Sequence, residues 1–245
     1  MTVTAASCAR TPRFPRFPRN IPVAALVVAA AALLAACEQE STAAEAAAPA
    51  LPEAADFDFF VLALSWSPSY CASEGTHANR QQCGPDAPPR GFVVHGLWPQ
   101  YERGYPSDCP TDRPLGVPRP VSDTMLDIMP STGLIRHEWA KHGTCSGLSQ
   151  RDYFALTRFA FERIAIPGEY RAAATIRTVD PDGVEAAFRA ANPGMPGNAI
   201  AVTCDRRYLR DVRICLTRDL AGFTACPEVD DDGCGRDAAV MPPAR

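Results

Sequence analysis

The chain has 245 residues, 47% of them hydrophobic, with 24 basic against 28 acidic side chains and a net charge of −4. That length suits one sizeable domain with a true core plus tails, and a second domain of similar size would be cramped. The acidic balance argues against tight nonspecific nucleic-acid binding, which rests on many phosphate contacts, but leaves room for an enzyme that must release its product.

Residues 1–36 read as a signal peptide, because Arg10, Arg13, Arg16 and Arg19 precede an uninterrupted apolar run over 21–36. The run is short for a membrane span. It ends in "LLAAC", and a small-residue pair before Cys37 resembles the lipobox of bacterial lipoproteins, in which the cysteine is lipidated and becomes the mature N-terminus. The alternative is ordinary cleavage near Ala36, leaving a soluble periplasmic or secreted protein. Either route exports the chain and leaves 20 basic against 28 acidic residues, a net charge of −8. Residues 37–55 are Ala-rich, polar and broken by proline, with no apolar stripe to bury, and read as a flexible linker. The folded domain is expected over 56–245. It holds eight cysteines, Cys71, Cys83, Cys109, Cys145, Cys204, Cys215, Cys226 and Cys234. An even number in an exported chain reads as four disulfides. None forms a CxxC pair, which argues against a zinc ribbon or a thioredoxin-like site.

"FDFFVLALSW" (57–66) suits a buried strand. A long loop rich in Pro and Gly is expected over 67–91, followed by a strand in "GFVVHGLWPQ" (91–100) that Pro99 halts. Prolines recur over 106–120 too often for regular structure, so a disulfide-pinned surface loop is expected there. "SDTMLDIMP" (122–130) offers Ser122 as the N-cap of a short helix ending before Pro130. "LIRHEWAKHG" (134–143) reads as a helix stopped by a left-handed Gly143. "SQRDYFALTRFAFERIAI" (149–166) is the clearest amphipathic helix, capped by Ser149, with Tyr153, Leu156, Phe159 and Ala160 on one face. Two late strands, 199–204 and 208–216, flank the charged turn "DRR". Strands and helices are segregated, which indicates an α+β fold.

Chemistry concentrates in "RHEWAKHGTC" (136–145), which holds two of the four histidines and the only lysine. At about 100° per residue His137, Glu138, Lys141 and His142 share one broad helix face. A solvated helix could carry such a run, but Trp139 and Cys145 lie beside it in a region too apolar for a purely solvated face. A zinc-protease helix needs HExxH; the spacing here is one residue too long, and a cation adjoins the second histidine, so no metal is expected. A GxSxG elbow is absent and the cysteines are expected to pair, so a serine or cysteine nucleophile fits poorly. Imidazoles, a carboxylate and an ammonium suit phosphoryl transfer within RNA. There a base takes the ribose 2′-hydroxyl proton, an acid protonates the departing 5′-oxygen, and fixed polar groups stabilise the pentavalent phosphorane. The second proton-transfer histidine must come from elsewhere, and His95 in "VVHGLWPQ" is the candidate, followed by a glycine that lets a ligand approach. Taken alone, His95 reads more readily as a satisfied buried histidine.

"FVVHGLWP" (92–99) and "HEWAKHGTC" (137–145), with "LALSWSPSYC" (62–71) and "YPSDC" (105–109), resemble the active-site segments of the ribonuclease T2 family in its bacterial, ribonuclease I-like form. The resemblance covers 57–145 and rests beyond that on the cysteine pattern. It implies a ribonuclease T2-like α+β fold, a central antiparallel sheet flanked by helices and stapled by disulfides. It also implies an endoribonuclease that cleaves single-stranded RNA through a 2′,3′-cyclic phosphate, with no cofactor. Carried over position by position, His142 is the general base and His95 the general acid; Glu138 and Lys141 polarise the phosphate and stabilise the phosphorane, and His137 helps bind phosphate. Trp98 and Tyr105 match the family's aromatic walls for one base, which suits the strength and tolerance of base stacking.

Gln100 occupies a position that touches the first base, where some relatives are acidic, and Pro130 and Ser131 keep the second-base pattern. Ser65 stands where many relatives have a Gln that contacts the second base, and Thr132 replaces a common Asn. Low base specificity is expected from these departures. The implied disulfides are Cys71 with Cys83, Cys109 with Cys145, and a nested pair, Cys204 with Cys234 and Cys215 with Cys226. RNA is the expected partner of a monomer that touches a membrane only through a lipidated Cys37. The competing reading is an interaction or toxin protein that keeps the fold and whose main role does not need RNA cleavage. Its motivation is the acidic balance and the lipid-anchor motif; a zinc hydrolase ranks third.

Overall fold

Residues 59–66 alternate between two rows, Phe60, Leu62, Leu64 and Trp66 on one side and Phe59, Val61, Ala63 and Ser65 on the other, and nearly all are buried. A strand apolar on both faces belongs inside a sheet. The computed structural model describes residues 56–171 and 173–244; the expected signal peptide (1–36), Cys37 and the linker (37–55) lie outside the described residues. In chain order the elements are β1 (Phe59–Trp66), α1 (Ser67–Glu74), α2 (Arg80–Cys83), β2 (Phe92–Gln100), α3 (Arg119–Ser122), α4 (Thr132–Lys141), α5 (Gln150–Glu162) and α6 (Gly168–Arg171). They continue with β3 (Arg177–Val179), α7 (Pro181–Ala191), β4 (Ile200–Cys204), β5 (Leu209–Thr217), α8 (Pro227–Asp231) and β6 (Ala239–Met241).

Four strands form an antiparallel sheet in the order β2-β1-β5-β4, and β3 pairs with β6 in a separate ribbon. Helices flank the sheet, so the α+β expectation holds. The Phe60 row packs into the main core with Trp139, Tyr153, Leu156 and Phe188, each large side chain adding roughly 1.5 to 3 kcal/mol over its exposed state. The Phe59 row joins a smaller cluster with Ala201, Cys215, Cys226 and Val229, against which Trp98 packs. That second face carries the polar groups described below. Among the described residues no helix is long and apolar enough to cross a membrane.

Several local expectations are corrected. The loop foreseen at 67–91 is partly helical: Pro68 sits in the first turn of α1, where no backbone N–H partner is lost, and Asn79 caps α2 by accepting from the backbone N–H groups of Gln81 and Gln82. Pro99 does not halt β2. It pairs opposite Phe60 on an edge strand, where a missing donor is tolerated. Ser122 ends a helix rather than starting one, because the turn begins at Arg119 with a proline in its first turn; Ser122 Oγ donates to the Arg119 carbonyl at 3.2 Å. α4 stops at Lys141, and the left-handed residue is Gly147 (φ 74°), not Gly143. Gly143 is required for packing instead, since a Cβ there would strike the rings of Trp139 and Tyr153.

Four disulfides join Cys71 to Cys83, Cys109 to Cys145, Cys204 to Cys234 and Cys215 to Cys226, the pairs that the resemblance implies.

Candidate active site

Ala63 of β1 pairs with Gly96 of β2, and the next residue, Leu64, pairs with Val94, so His95 is the unpaired residue of a β-bulge. A bulge bends its strand and re-aims a side chain out of the regular alternation. His95 Nε2 lies 3.7 Å from Glu138 Oε1 on α4, and Nδ1 lies 3.5 Å from Asp211 Oδ1 on β5. Strand register sets Asp211 opposite Ser65, whose Oγ donates to Asp211 Oδ1. Gly96, expected to admit a ligand, admits Glu138: a Cβ at this position would strike Glu138 Oε2 and Trp98 Nε1.

Ser131 starts α4 by accepting from Leu134 N at 3.2 Å, and one turn of helix separates Glu138 from His142. Glu138 is 1% exposed and accepts from Trp98 Nε1 at 2.8 Å. The indole ring lies 5.3 Å from each of the two histidine rings, edge-on to His95 and stacked on His142. Tyr105 is exposed and stands 6.1 Å from the His142 ring, with Lys141 Nζ 5.9 Å from the Tyr105 ring centre. His95, Trp98, Gln100 and Tyr105, together with His137, Glu138, Lys141 and His142, line a cavity of about 290 Å³.

The two central imidazoles hold protons differently. Burial pushes His142 down, and Lys141, His95 and His137 push it further, to about 3, so it is neutral over most of the pH scale. Burial also opposes charge on His95, but the Asp211 carboxylate, and after it Glu138, outweigh burial and the Arg213 guanidinium, so its pKa is raised. Glu138 is raised by burial against the pull of His95, the Trp98 N–H and Lys141. Asp211 is lowered, because its close approach to and charge interaction with His95, with Ser65 and Arg213 assisting, overcome its burial. A neutral imidazole beside a protonated one in a single cavity can accept a proton at one point and donate one at another.

A second cavity of about 410 Å³ shares His95 and His137 with the first and is lined also by Ser65, Asn79, Ser131, Arg210 and Asp211. The Ser131 hydroxyl is engaged in capping α4, and Pro130 is buried and lines neither cavity. The sequence reading missed Asp211, Arg213, Glu228 and Asp232. Arg213 lies 5.6 Å over the Trp98 ring, and Glu228 accepts from Gly104 N at 2.7 Å at the rim. The signal for Asp211 and Arg213 was the alternation in "LRDVRICL", which puts both on the same strand face as Cys215. Among the described residues no three His, Cys, Asp or Glu side chains are grouped to hold a metal ion.

The sequence model described as Ribonuclease T2 family matches residues 57–226. A protein named Ribonuclease from Aeromonas hydrophila is 39% identical over 72% of this chain and 79% of its own length, and Ribonuclease 1 of Arabidopsis thaliana is 29% identical over 74% and 84%. Among solved structures, RNase NT in complex with 5′-AMP superposes with a TM-score of 0.55 at 28% identity, over 77% of this chain and 99% of that one. Trichomaglin, described as an S-like ribonuclease, gives 0.61 at 22% identity over 78% and 100%, a likeness of fold. On the family match and the Aeromonas relative together, the chain belongs to the ribonuclease T2 family.

Proposed function

We propose that the protein is an endoribonuclease that cleaves single-stranded RNA by 2′-hydroxyl attack on the adjacent phosphate, giving a 2′,3′-cyclic phosphate without a metal ion. The observation that carries this reading is the pair of histidines, each in ring contact with Trp98, with opposite proton preferences. His142, neutral, takes the 2′-hydroxyl proton as the new O–P bond forms. His95, protonated, gives its proton to the 5′-oxygen as the old P–O bond breaks. Lys141 supplies positive charge to the phosphate oxygens, His137 helps bind them, and Glu138, buried and joined to Trp98, helps fix the phosphorane.

Two cavities meeting at His95 and His137 suit a phosphodiester with a nucleotide on each side. Trp98 and Tyr105 supply stacking surface for the first base, although Trp98 is partly occupied with His142. Gln100 Oε1 is buried without a hydrogen-bond partner. A side-chain amide both donates and accepts, which supports recognition of more than one base and hence low specificity. Ser131 and Ser65 lie on the second-base side. The four disulfides support work in an oxidising compartment outside the cytoplasm, with lipid anchoring at Cys37 as part of the proposal.

The test is cleavage of homopolymer RNAs in the presence of a chelator, with product ends resolved. Cyclic phosphate ends on several homopolymers, none on DNA, and a loss on the order of 10² to 10⁴ in kcat for His95→Ala and His142→Ala are expected. Full cleavage by both variants overturns the reading.

A further inference from the structure

We propose that Asp211 is a positioning residue that, anchored by Ser65, holds His95 in the tautomer and charge state of a proton donor. This deepens the proposed function and rests on its assignment of His95 as general acid.

The observations are geometric. His95 leaves the strand alternation through the bulge, and its Nδ1 is buried and makes no hydrogen bond in the free protein, with Asp211 Oδ1 standing 3.5 Å away. Catalytic hydrogen bonds are often long in a free enzyme and tighten in the substrate complex. With Nδ1 directed at Asp211, the proton to be delivered resides on Nε2, the nitrogen nearer Glu138 and the first cavity. A carboxylate on one imidazole nitrogen fixes the ring and raises the basicity of the other. Asp211 is itself held: Ser65 Oγ donates to its Oδ1, its backbone N–H donates to Thr203 Oγ1 at 3.1 Å, and its side chain is 14% exposed. The groups that face His95 are Glu138 from α4, Asp211 and Arg213 from β5, and His142 at the end of α4. Of these, Asp211 and Glu138 favour its charge and Arg213 opposes it. Glu138 already binds the Trp98 N–H, which leaves Asp211 as the carboxylate on the Nδ1 side. Ser65, expected to face the second base, thus turns its hydroxyl to the group behind His95.

Two substrates separate this role from a structural one, a nucleoside 3′-(methyl phosphate) and a nucleoside 3′-(4-nitrophenyl phosphate). Neither carries a second base. The methoxide leaving group needs a proton from His95, and nitrophenolate does not. Asp211→Asn is expected to lower kcat on the methyl ester about tenfold, the equivalent of one pKa unit, while turnover of the nitrophenyl ester stays near wild type. The alkaline limb of kcat/KM on the methyl ester moves to lower pH, since removing a negative charge lowers the pKa of His95. Ser65→Ala, which keeps the charge but frees the carboxylate, gives a smaller loss with the same selectivity. His95→Ala is the reference and loses the methyl ester far more than the nitrophenyl ester. Equal loss on both esters in Asp211→Asn, no loss on either, or an unmoved alkaline limb overturns the role of Asp211 while His95→Ala keeps its selectivity. If His95→Ala itself loses both esters equally, the acid assignment fails and the proposal for Asp211 fails with it.

Discussion

At the scale of single residues, the site separates two histidines that would titrate together in water. His142 is 4% exposed and has Lys141 beside it, whereas His95 stands between two carboxylates. The proposed mechanism needs His142 neutral and His95 charged. The rate therefore falls on the acid side as pH drops through about 3, the value for His142, and on the alkaline side as pH rises through a His95 value above 6.5. A kcat/KM profile measured from acid to neutral pH should be broad, with its plateau on the acid side of neutrality. Lys141→Met removes a repulsive charge, so the His142 pKa rises and the acid limb moves to higher pH, on top of a lower rate from the lost phosphate contact. An acid limb that stays in place in this variant would show that Lys141 does not set the base. The residues of α4 were legible because their spacing places them on one face and their types match one chemistry. Asp211 was not, since only the pairing of β5 with β1 brings it to His95.

At the scale of elements, local pattern carried the strands and the long helix but not their ends. β1 and α5 announce themselves by alternation and by an amphipathic face with a serine cap. α1 was hidden because Pro68 reads as a loop residue, although a first turn accepts it. α7 was missed for a similar reason, its Pro181 and Gly183 masking the Asp180 cap and the Val184 and Phe188 stripe. The disulfide between Cys109 and Cys145 joins two elements of the site, the loop carrying Tyr105 and the turn after α4, and the Asp108 N–H donates to the Lys141 carbonyl at 2.8 Å beside it. It closes a separation of 36 residues, for which chain-entropy arguments give a stabilisation of about 4 kcal/mol. Replacing both cysteines with alanine is expected to lower urea stability by that order and to raise KM more than it lowers kcat, because Tyr105 loses its tether while His95 and His142 keep theirs. An unchanged KM would mean that the disulfide serves the fold alone.

At the scale of the whole molecule, the fold class and the place of the site were legible, and the sheet order was not. Each strand of the four-stranded sheet could be read locally, but the placement of β5 beside β1 depends on contacts about 150 residues apart in sequence, and the ribbon of β3 and β6 joins two three-residue strands that no local pattern marks. The charge balance has a consequence at this scale. Beyond residue 36 the chain carries a net charge of −8, and the Lys and Arg side chains lining the two cavities are Lys141, Arg210 and Arg213. Arg210 is paired with Asp205 at 3.3 Å, and Arg213 lies over Trp98. Each phosphate neutralised on a single strand contributes a slope of about −0.7 to the logarithm of binding against the logarithm of salt. With these three and the protonated His95, the slope of kcat/KM on oligonucleotides should be no steeper than roughly −3, and Arg213→Gln should make it shallower by about one such increment. Measuring kcat/KM across a salt series on oligonucleotides of increasing length decides the matter. If the slope steepens steadily with length, the RNA is tracking a basic surface beyond the two cavities, and an acidic enzyme that grips its substrate only at the cleavage site is the wrong description.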